Sequence, residues 1–486
     1  MAGDVHESLF SAALESSIAP FMALHALLNR LSSGQKDRLK RAVAIIPPSL
    51  RQSFAYRRWR RFLAESERWP TERICQWQTE NLRRIVRHAV EHTEGYRELY
   101  RKAGIKPDDI RSLEDVRHLP FTTKETFRDN LAAFSAPQAG RRYVTTGGST
   151  GIPFGFYELS SMQEIESAFM HAGWSWTGWK LGQPSAVLRG GFVGTETNWS
   201  QDQPFYREFA LSSYFLGANT VAAYVDAMRD RGIRVLQAYP SSLNMLCDLI
   251  KEQDLRERLA LDVIFLGSEN LYDWQLEKFG ETFPEARLFA WYGHCEKAVL
   301  APWCERTRHF HAWPFYGLTE ILNADGAVVG EGEEGEIVGT SFHQMLTPFI
   351  RYRTMDRAVK GPSSCPDCGR SFPVLSKISG RAHEVIVTRK GRYISMTAIN
   401  MHDDIFDGLR QVQFFQETPG EVMFHYVTKN GSLPATEEVK IRQRLVVKLG
   451  EDVALKLQPV AEIPRTKSGK FRFLDQRLSI QYGDRP

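Results

Sequence analysis

One stretch of the sequence concentrates the residue types that bind phosphate. It runs Tyr143-Val-Thr-Thr-Gly-Gly-Ser-Thr-Gly-Ile-Pro153, and positions 145–151 hold three glycines and four hydroxyl residues. Glycine has no Cβ to keep a phosphate oxygen away, and backbone N–H groups and Ser/Thr hydroxyls can donate hydrogen bonds to it. The Gly-Lys-Ser/Thr ending of a Walker loop is missing. Taken alone, the segment predicts either a phosphate-binding loop or an ordinary flexible turn.

A second chemical candidate is the basic segment Glu462-Ile-Pro-Arg-Thr-Lys-Ser-Gly-Lys-Phe-Arg472. Lys470 follows a Ser-Gly turn, which would present its ammonium group on a flexible loop. Such a point charge can neutralise a developing oxyanion or a phosphate. The alternative is a basic surface loop, and this segment taken alone favours that interpretation.

The cysteines suggest a metal site. Cys365 and Cys368 have the spacing of half a zinc knuckle, and two thiolates alone are too few ligands. Cys304 and a histidine of His309-Phe-His311 could supply the other half, because residues two apart in a strand share a face. Four protein ligands would leave no open position for water, so the predicted zinc is structural. The alternative is a set of reduced, inert cysteines.

The elements that must position these residues follow from the hydrophobic pattern. Residues 1–110 have apolar residues at helical spacing and are predicted to be helical. Beyond about residue 185, short apolar runs alternate with helix-like segments, which predicts a mostly parallel sheet covered by helices. The last segment, 380–486, mixes short strands with a helix. The predicted strands of the sheet are Ser185–Phe192, Arg234–Tyr239, Leu261–Gly267 and Ala286–Trp291.

Further motifs stand between the two candidate loops, and as a set they are recognisable. In order and spacing the chain resembles the adenylate-forming superfamily of acyl-CoA synthetases, firefly luciferase and peptide-synthetase adenylation domains. It is most similar to the phenylacetate–CoA ligase branch and its capsule-biosynthesis-type relatives, over about residues 60–480. The additional motifs are Gly267-Ser-Glu-Asn270, Trp291-Tyr-Gly-His-Cys-Glu296, Arg351-Tyr-Arg-Thr-Met-Asp356 and Ser379-Gly-Arg381.

The resemblance implies an α/β fold with a large N-terminal domain of parallel-rich sheets and flanking helices, and a small mobile α+β C-terminal domain. We expect residues 1–110 to form a helical region packed on the large domain. Residues 111–379 would form the large domain, which binds ATP and the acyl group and carries the zinc knuckle near 304–368. Residues 380–486 would form the small domain, with His383 at the hinge where the family commonly has Asp or Lys.

The resemblance also implies a role for each matched residue. Glu296 would hold Mg²⁺, and Lys470 would contact the acyl carboxylate and the ribose-side oxygens during adenylation. Asp356 would accept both ribose hydroxyls with Arg381 beside it, and Tyr292 would stack on adenine. The other matches approach phosphate or line the adenine pocket: Thr145, Thr146, Gly147, Gly148, Ser149, Thr150, Gly151, Gly267, Ser268, Glu269 and Gly293.

A competing motif must be set against Glu296. Tyr316-Gly-Leu-Thr-Glu320 fits the family's Tyr-Gly-x-Thr-Glu pattern better than Tyr292-Gly-His-Cys-Glu296 does. Position favours Glu296, because Tyr292 directly follows an apolar strand and lies 23 residues after Glu269, as the family order requires. The segment around Glu320 precedes a turn and is predicted to be a hairpin arm. Relatives with a zinc site have a histidine nine residues before that strand glutamate, and this spacing selects His311 here.

The function implied by the resemblance is ATP-dependent activation of a carboxylic acid to acyl-AMP, with pyrophosphate released, followed by acyl transfer to coenzyme A. We expect the acyl pocket near Tyr239 and Phe192, whose rings are compatible with an aryl acid. One alternative is a ligase that passes the acyl group to an amine, a hydroxyl or a carrier-protein thiol in polysaccharide or secondary-metabolite biosynthesis. A second alternative is a non-catalytic nucleotide-binding module.

The amino-acid composition further limits the class of protein. Of 486 residues, 42% are hydrophobic and 25% charged, which is typical of a soluble globular protein and excludes disorder, fibrous repeats and a polytopic membrane protein. The net charge, 62 − 58 = +4, is too small to indicate nucleic acid as a partner. Six cysteines suit a reducing compartment, and Asp4 and Glu7 lie where a secretory signal would be positive. We therefore expect a cytoplasmic protein.

One charge asymmetry lies in the N-terminal region. Residues 36–61 contain nine Lys/Arg and one acid, Asp37, and Trp59 and Phe62 interleave with the last four basic residues. This pattern predicts either a solvated helix face or a segment that docks on an anionic membrane surface or a charged partner.

Overall fold

The computed structural model describes most of the chain between residues 46 and 478. The described residues are 46–137, 140–146, 154–189, 192, 194–195, 197–204, 206–268, 271, 273–378, 385–395, 399, 409–428, 431–463 and 474–478. No helix within these ranges is both long enough and apolar enough to cross a membrane.

The N-terminal part is helical, as the apolar spacing predicts. Ser53 caps the first helix, with its hydroxyl accepting from the backbone N–H of Tyr56 at 3.2 Å. Trp59 and Phe62 of this helix pack inward, with ring centroids 5.3 Å from Phe169 and 5.1 Å from Phe315 respectively. The helices are α1 (Phe54–Ser66), α2 (Thr71–His92), α3 (Glu94–Ala103) and α4 (Lys124–Asn130).

Two antiparallel strands flank the glycine-rich segment. β1 (Arg141–Thr146) pairs with β2 (Phe154–Leu159), so that Thr146 faces Phe154 at the end of the ladder. We call the paired strands β1 and β2 the glycine hairpin. The connecting residues 147–153 lie outside the described part of the chain. Helix α5 (Met162–Ser175) follows the hairpin.

A seven-stranded sheet forms the centre of the structure. Its order is β4-β5-β3-β6-β7-β8-β9, and β5, β3, β6, β7 and β8 run parallel. Every residue of β6 and β7 is buried, as expected for parallel strands covered on both faces. This confirms the predicted α/β fold. The elements are β3 (Ser185–Arg189), β4 (Ser200–Gln203), β5 (Glu208–Ser212), α6 (Val221–Asp230), β6 (Val235–Ala238), α7 (Pro240–Glu252), β7 (Val263–Leu266), α8 (Asp273–Thr282), β8 (Arg287–Gly293) and β9 (Leu300–Pro302).

A five-stranded antiparallel sheet follows in sequence. Its order is β10-β14-β13-β12-β11, and β11 pairs with β12 as the predicted hairpin arm that contains Glu320. The sheet carries Asp356 on one of its central strands, so it supplies one side of the predicted nucleotide site. The strands are β10 (Phe310–His311), β11 (Gly317–Leu322), β12 (Glu334–Ser341), β13 (Tyr352–Lys360) and β14 (Val374–Ile378).

The C-terminal residues build a smaller α+β unit with its own apolar cluster, which includes Phe414, Phe424 and Leu445. Its four-stranded sheet has the order β19-β18-β17-β20. Arg392 connects it to the large unit by donating to the carbonyl oxygen of Tyr214 at 2.7 Å. The elements are β15 (Val385–Val387), β16 (Tyr393–Ser395), β17 (Leu409–Thr418), β18 (Glu421–Thr428), α9 (Ala435–Leu449), β19 (Ala454–Pro459) and β20 (Leu474–Gln476).

Candidate active site

Two predicted nucleotide-binding residues from different sheets meet directly. Tyr292 lies near the end of β8, and its hydroxyl donates to Asp356 Oδ2 on β13 at 2.9 Å. The contact joins residues 64 positions apart. It supports the expectation, drawn from the resemblance, that both side chains face one ligand. Gly293 follows Tyr292, and a Cβ at this position would lie 3.1 Å from Leu300 Cδ1.

The residue before Asp356 has an unusual backbone conformation. Met355 has φ of +68°, in the left-handed region that glycine adopts at no steric cost and other L-residues avoid. Its N–H donates to Glu336 Oε1 at 3.1 Å, and the N–H of Asp356 donates to the hydroxyl of Thr354 at 3.1 Å. These hydrogen bonds hold the register irregularity within β13 at which Asp356 lies.

Glu296 is a buried carboxylate whose two oxygens are both held. The hydroxyl of Tyr352 donates to Oε1 at 2.7 Å, and His294 Nδ1 lies 3.1 Å from Oε2. Because His294 Nε2 accepts from the N–H of Val299 at 3.2 Å, a neutral His294 carries its proton on Nδ1 and donates it to Glu296. The carboxylate is therefore fixed in orientation.

The same contacts keep Glu296 charged. Burial alone would raise the pKa of Glu296, but hydrogen bonding and charge from His294, the Lys124 ammonium and the Tyr352 hydroxyl together hold that pKa well below its usual range. An ionised, oriented carboxylate is what a magnesium ion bound partly by substrate phosphates requires from a protein. Glu296 therefore fits the predicted metal role.

Glu296 and the Tyr292–Asp356 pair belong to one neighbourhood. The ring of His294 lies 6.1 Å from that of Tyr292 and 6.3 Å from that of Tyr352, measured between centroids. Tyr352 and Asp356 are both on β13. Sequence reasoning missed His294 and Tyr352 as partners of Glu296; the only available signal was that both stand inside quoted motifs.

The strand-end segment predicted for the adenine pocket lies beside Tyr292. Gly267 follows β7, which pairs with β8, and a Cβ on Gly267 would sit 2.6 Å from the Trp291 ring. Glycine is therefore needed for this close packing. Ser268 continues with φ of +69°.

The predicted acyl-pocket residues lie at the carboxyl ends of neighbouring strands, where ligands bind in open parallel sheets. Tyr239 follows β6 and begins α7, and Phe192 is half-buried beyond β3. Sequence reasoning missed Arg189, the last residue of β3. Its guanidinium carbon lies 4.9 Å from the ring centroid of Trp291 and 5.7 Å from that of Tyr239.

Several predicted site residues are only partly described. Thr145 is buried in β1, and the backbone of Thr146 ends that strand. For the following residues the predicted roles remain predictions, because they lie outside the described part of the chain: Gly147, Gly148, Ser149, Thr150, Gly151, Glu269, Arg381, the hinge residue His383 and Lys470.

The competing glutamate is engaged elsewhere. Glu320 lies on β11 and forms a buried ion pair with Arg351, at 3.1 Å between Oε1 and Nη2. Arg351 also donates to the carbonyl oxygens of Arg117 and Leu119. Burial raises the pKa of Glu320, and the charge of Arg351 only partly opposes it. The Glu320 carboxylate is thus engaged in a structural ion pair, which favours Glu296 as the carboxylate that would hold Mg²⁺.

The four predicted zinc ligands come together. One ligand atom from each of Cys304, His311, Cys365 and Cys368 lies within 4.8 Å of all the others. Cys368 Sγ is 3.4 Å from His311 Nε2. Sulfur and nitrogen bound to one tetrahedral zinc ion lie about 3.6 Å apart, so the donors and their spacing fit zinc.

We expect purified protein to contain about one zinc ion per chain. The double variant Cys365→Ser/Cys368→Ser should lose that zinc and unfold at a temperature lower by about 5–10 °C, because metal binding contributes to folding. Elemental analysis and thermal unfolding measure the two effects. Cys75→Ser, which removes a cysteine outside the cluster, is the control. Substoichiometric zinc in carefully purified wild-type protein would contradict the site.

The chain is similar to several known proteins over most of its length. The profile of the CapK C-terminal domain matches residues 386–476. A phenylacetate-coenzyme A ligase of Thermus thermophilus is 23% identical over 442 residues, which cover 84% of this chain and 97% of the relative. The phenylacetate-coenzyme A ligase of Pseudomonas putida is 26% identical, covering 68% of this chain and 75% of the relative. Protein CapK of Staphylococcus aureus is 20% identical, covering 82% and 88%.

The fold has a counterpart among solved structures. A 2-hydroxyisobutyryl-CoA ligase, crystallised with 2-HIB-AMP and CoA in its thioesterification state, superposes with a TM-score of 0.59 at 18% identity. The superposition covers 85% of this chain and 92% of that one. The chain is thus similar along most of its length to phenylacetate–CoA ligases and to CapK, and it has the fold of an adenylate-forming CoA ligase.

Proposed function

We propose that this protein activates a carboxylic acid with ATP and then transfers the acyl group to coenzyme A. In the first step a carboxylate oxygen bonds to the α-phosphorus, the bond to the β-phosphate breaks and pyrophosphate leaves. In the second step a thiolate sulfur bonds to the carbonyl carbon, AMP leaves, and the thiol proton passes to solvent. The observation that carries this proposal is the ionised, oriented Glu296 beside the Tyr292–Asp356 pair.

Each described residue has a task in that reaction. Asp356 would accept hydrogen bonds from the ribose hydroxyls, and its contact with Tyr292 holds both side chains toward one ligand. Glu296 would hold Mg²⁺. When bound, the ion neutralises charge on the phosphates, which otherwise repel the incoming carboxylate. His294 and Tyr352 keep the Glu296 carboxylate in place as charge moves.

We assign the remaining charge neutralisation to Lys470. A lysine on a mobile small domain can approach the carboxylate for adenylation and withdraw before acyl transfer. The proposal divides the chain into an N-terminal helical region at 1–110, a large domain at 111–379 and a small domain at 380–486 that rotates near His383. The separate apolar cluster of the C-terminal unit is compatible with such a movement.

The residues at the carboxyl edge of the seven-stranded sheet suggest the class of acid substrate, and the similar proteins suggest the acyl acceptor. Tyr239 and Trp291 supply aromatic surface there, which supports an aryl acid as substrate. The similar phenylacetate-coenzyme A ligases and the 2-hydroxyisobutyryl-CoA ligase support coenzyme A as the acceptor. The second candidate, suggested by the resemblance to capsule-biosynthesis-type relatives, is a ligase in which an amine, a hydroxyl or a carrier-protein thiol receives the acyl group. A non-catalytic nucleotide-binding role is disfavoured by the intact Glu296 and Asp356.

Acid-dependent pyrophosphate exchange across a panel of aryl and aliphatic acids tests the first step. AMP release from the best acid, measured with and without coenzyme A, tests the second. We expect exchange with at least one acid, and AMP release that rises with coenzyme A. AMP release indifferent to coenzyme A would favour the other acceptors, and absence of exchange across the whole panel would contradict the enzyme proposal.

We infer a cytoplasmic location, because the proposed reaction consumes ATP and coenzyme A and the six cysteines are unpaired. Peripheral contact of the basic segment 36–61 with an anionic surface is also retained as a proposal. Its two interleaved aromatic residues, Trp59 and Phe62, pack against the protein, so such contact would depend on the arginines of α1.

A further inference from the structure

The glycine hairpin carries a fully buried carboxylate, Glu158 on β2. Oε2 accepts from Lys297 Nζ at 2.9 Å and from Gln344 Nε2 at 3.3 Å, and Oε1 accepts from Arg142 on the facing strand. Burying a carboxylate is costly unless donors satisfy its oxygens. Arg142 belongs to the hairpin itself, whereas Lys297 and Gln344 come from two distant segments. Glu158 therefore joins the hairpin to both of those segments.

The most important of the donors is Lys297, which directly follows Glu296. Its side chain is 7% exposed, and Nζ also lies 3.4 Å from the carbonyl oxygen of Cys295 and 3.8 Å from Glu166 Oε2. The Lys297 ammonium group is therefore buried between the carboxylates of Glu158 and Glu166.

The backbone of Lys297 has an unusual conformation. Its φ is +55°, in the left-handed region that lysine avoids. Backbone strain of this kind persists only where surrounding contacts outweigh it, and it concentrates at functional sites. At Lys297 the backbone N–H donates to the carbonyl oxygen of His294 at 3.0 Å, and the ammonium group makes the contacts given above.

The ion pair connects the two parts of the site that would act on a triphosphate. Glu158 lies on the strand that begins directly after the glycine-rich segment, and Lys297 is the neighbour of the carboxylate assigned to Mg²⁺. We propose that the Lys297–Glu158 clasp fixes the glycine hairpin relative to Glu296, so that phosphate contacts and metal carboxylate engage the same triphosphate. This rests on the proposed function. Both side chains are buried and paired with each other, so we assign them as positioning residues.

Binding affinities for two nucleotides separate positioning from general stability. AMP lacks the β- and γ-phosphates, so it depends on the adenosine side of the site and little on the clasp. For Lys297→Met and for Glu158→Gln we expect the Kd of MgATP, measured by calorimetry, to rise about 10- to 100-fold, since small misplacements in a site are costly. The Kd of AMP should change by less than about twofold, because no interaction with AMP is removed. The Kd of MgATP for the double variant should not exceed that of the single variant with the higher Kd, because the two residues act as one unit.

Glu320→Gln is the matched control, because it disrupts a buried ion pair outside the site. It should lower the unfolding temperature and leave both affinities at wild-type values. Equal affinities for MgATP in the folded variants and the wild type, or parallel weakening of MgATP and AMP, would overturn the clasp. If Lys297→Met does not fold, the clasp is tested by Glu158→Gln alone, because glutamine keeps the shape of the glutamate side chain.

These outcomes are separable from failure of the proposed function. A wild-type protein that binds MgATP but exchanges pyrophosphate with no acid would refute the enzyme proposal, while the affinity ratios would still decide on the clasp. A wild-type protein that binds no MgATP would overturn both.

Discussion

Glu296→Gln is expected to lower acid-dependent pyrophosphate exchange by about 10²–10³-fold, the effect typical of losing one preorganised charged group at a reacting centre. Glutamine retains the size of the side chain and one carbonyl oxygen, but it removes the negative charge that Mg²⁺ needs. Tyr352 and His294 would still be present to hold the side chain, so the fold should survive. Exchange rates measured against Mg²⁺ concentration should show a shift to higher metal demand.

Glu320→Gln provides the matched comparison, since Glu320 ends the other Tyr-Gly-x-x-Glu motif. Its carboxylate pairs with Arg351, so the variant leaves a buried guanidinium without its full charge partner and should be less stable by about 3 kcal/mol. Its exchange rate and Mg²⁺ demand should stay near wild type at a temperature where it is folded. The reverse result, with Glu320→Gln inactive and Glu296→Gln normal, would show that the metal carboxylate has been assigned to the wrong motif.

Lys470→Ala is expected to have an effect of similar size on adenylation, about 10²–10³-fold in pyrophosphate exchange. The reason is electrostatic: a carboxylate must approach a phosphate of like charge, and removing the lysine leaves that repulsion less compensated. The second half-reaction, measured from a preformed acyl-adenylate and coenzyme A, should be much less affected, because the proposed domain movement would replace the groups around the carbonyl.

Lys467→Ala controls for the loss of positive charge in the same basic segment, Glu462 to Arg472. It should retain exchange within a few-fold of wild type, since a charge beyond the reacting groups is screened by solvent. Equal losses in the two lysine variants would show that the segment contributes only general positive charge. Unchanged exchange in Lys470→Ala would refute its assignment outright.

Much of the fold was predictable because the pattern of apolar residues along a segment indicates which of its faces are buried. The apolar runs at β6, β7 and β8 predicted strands correctly. β6 and β7 are buried throughout, and strands buried on both faces must be apolar almost throughout. Motif order predicted that Tyr292 and Asp356 would share a site, and the structure joins them by a hydrogen bond. Cysteine spacing predicted half of a metal cluster. The choice of Cys304 and His311 for its other half was a prediction that the fold supports by bringing all four residues together.

The sequence by itself determined which candidate catalytic and metal-binding residues are present, and the order of their motifs along the chain. Only the tertiary structure decided how each is used: Glu296 and Glu320 end similar motifs, yet one is oriented by His294 and Tyr352 and the other is bound to Arg351. The contact between Lys297 and Glu158 likewise spans 139 positions and leaves no periodic signal. The physical reason is that burial and charge pairing depend on which distant segments pack together, whereas hydrophobic periodicity records only which way neighbouring residues face.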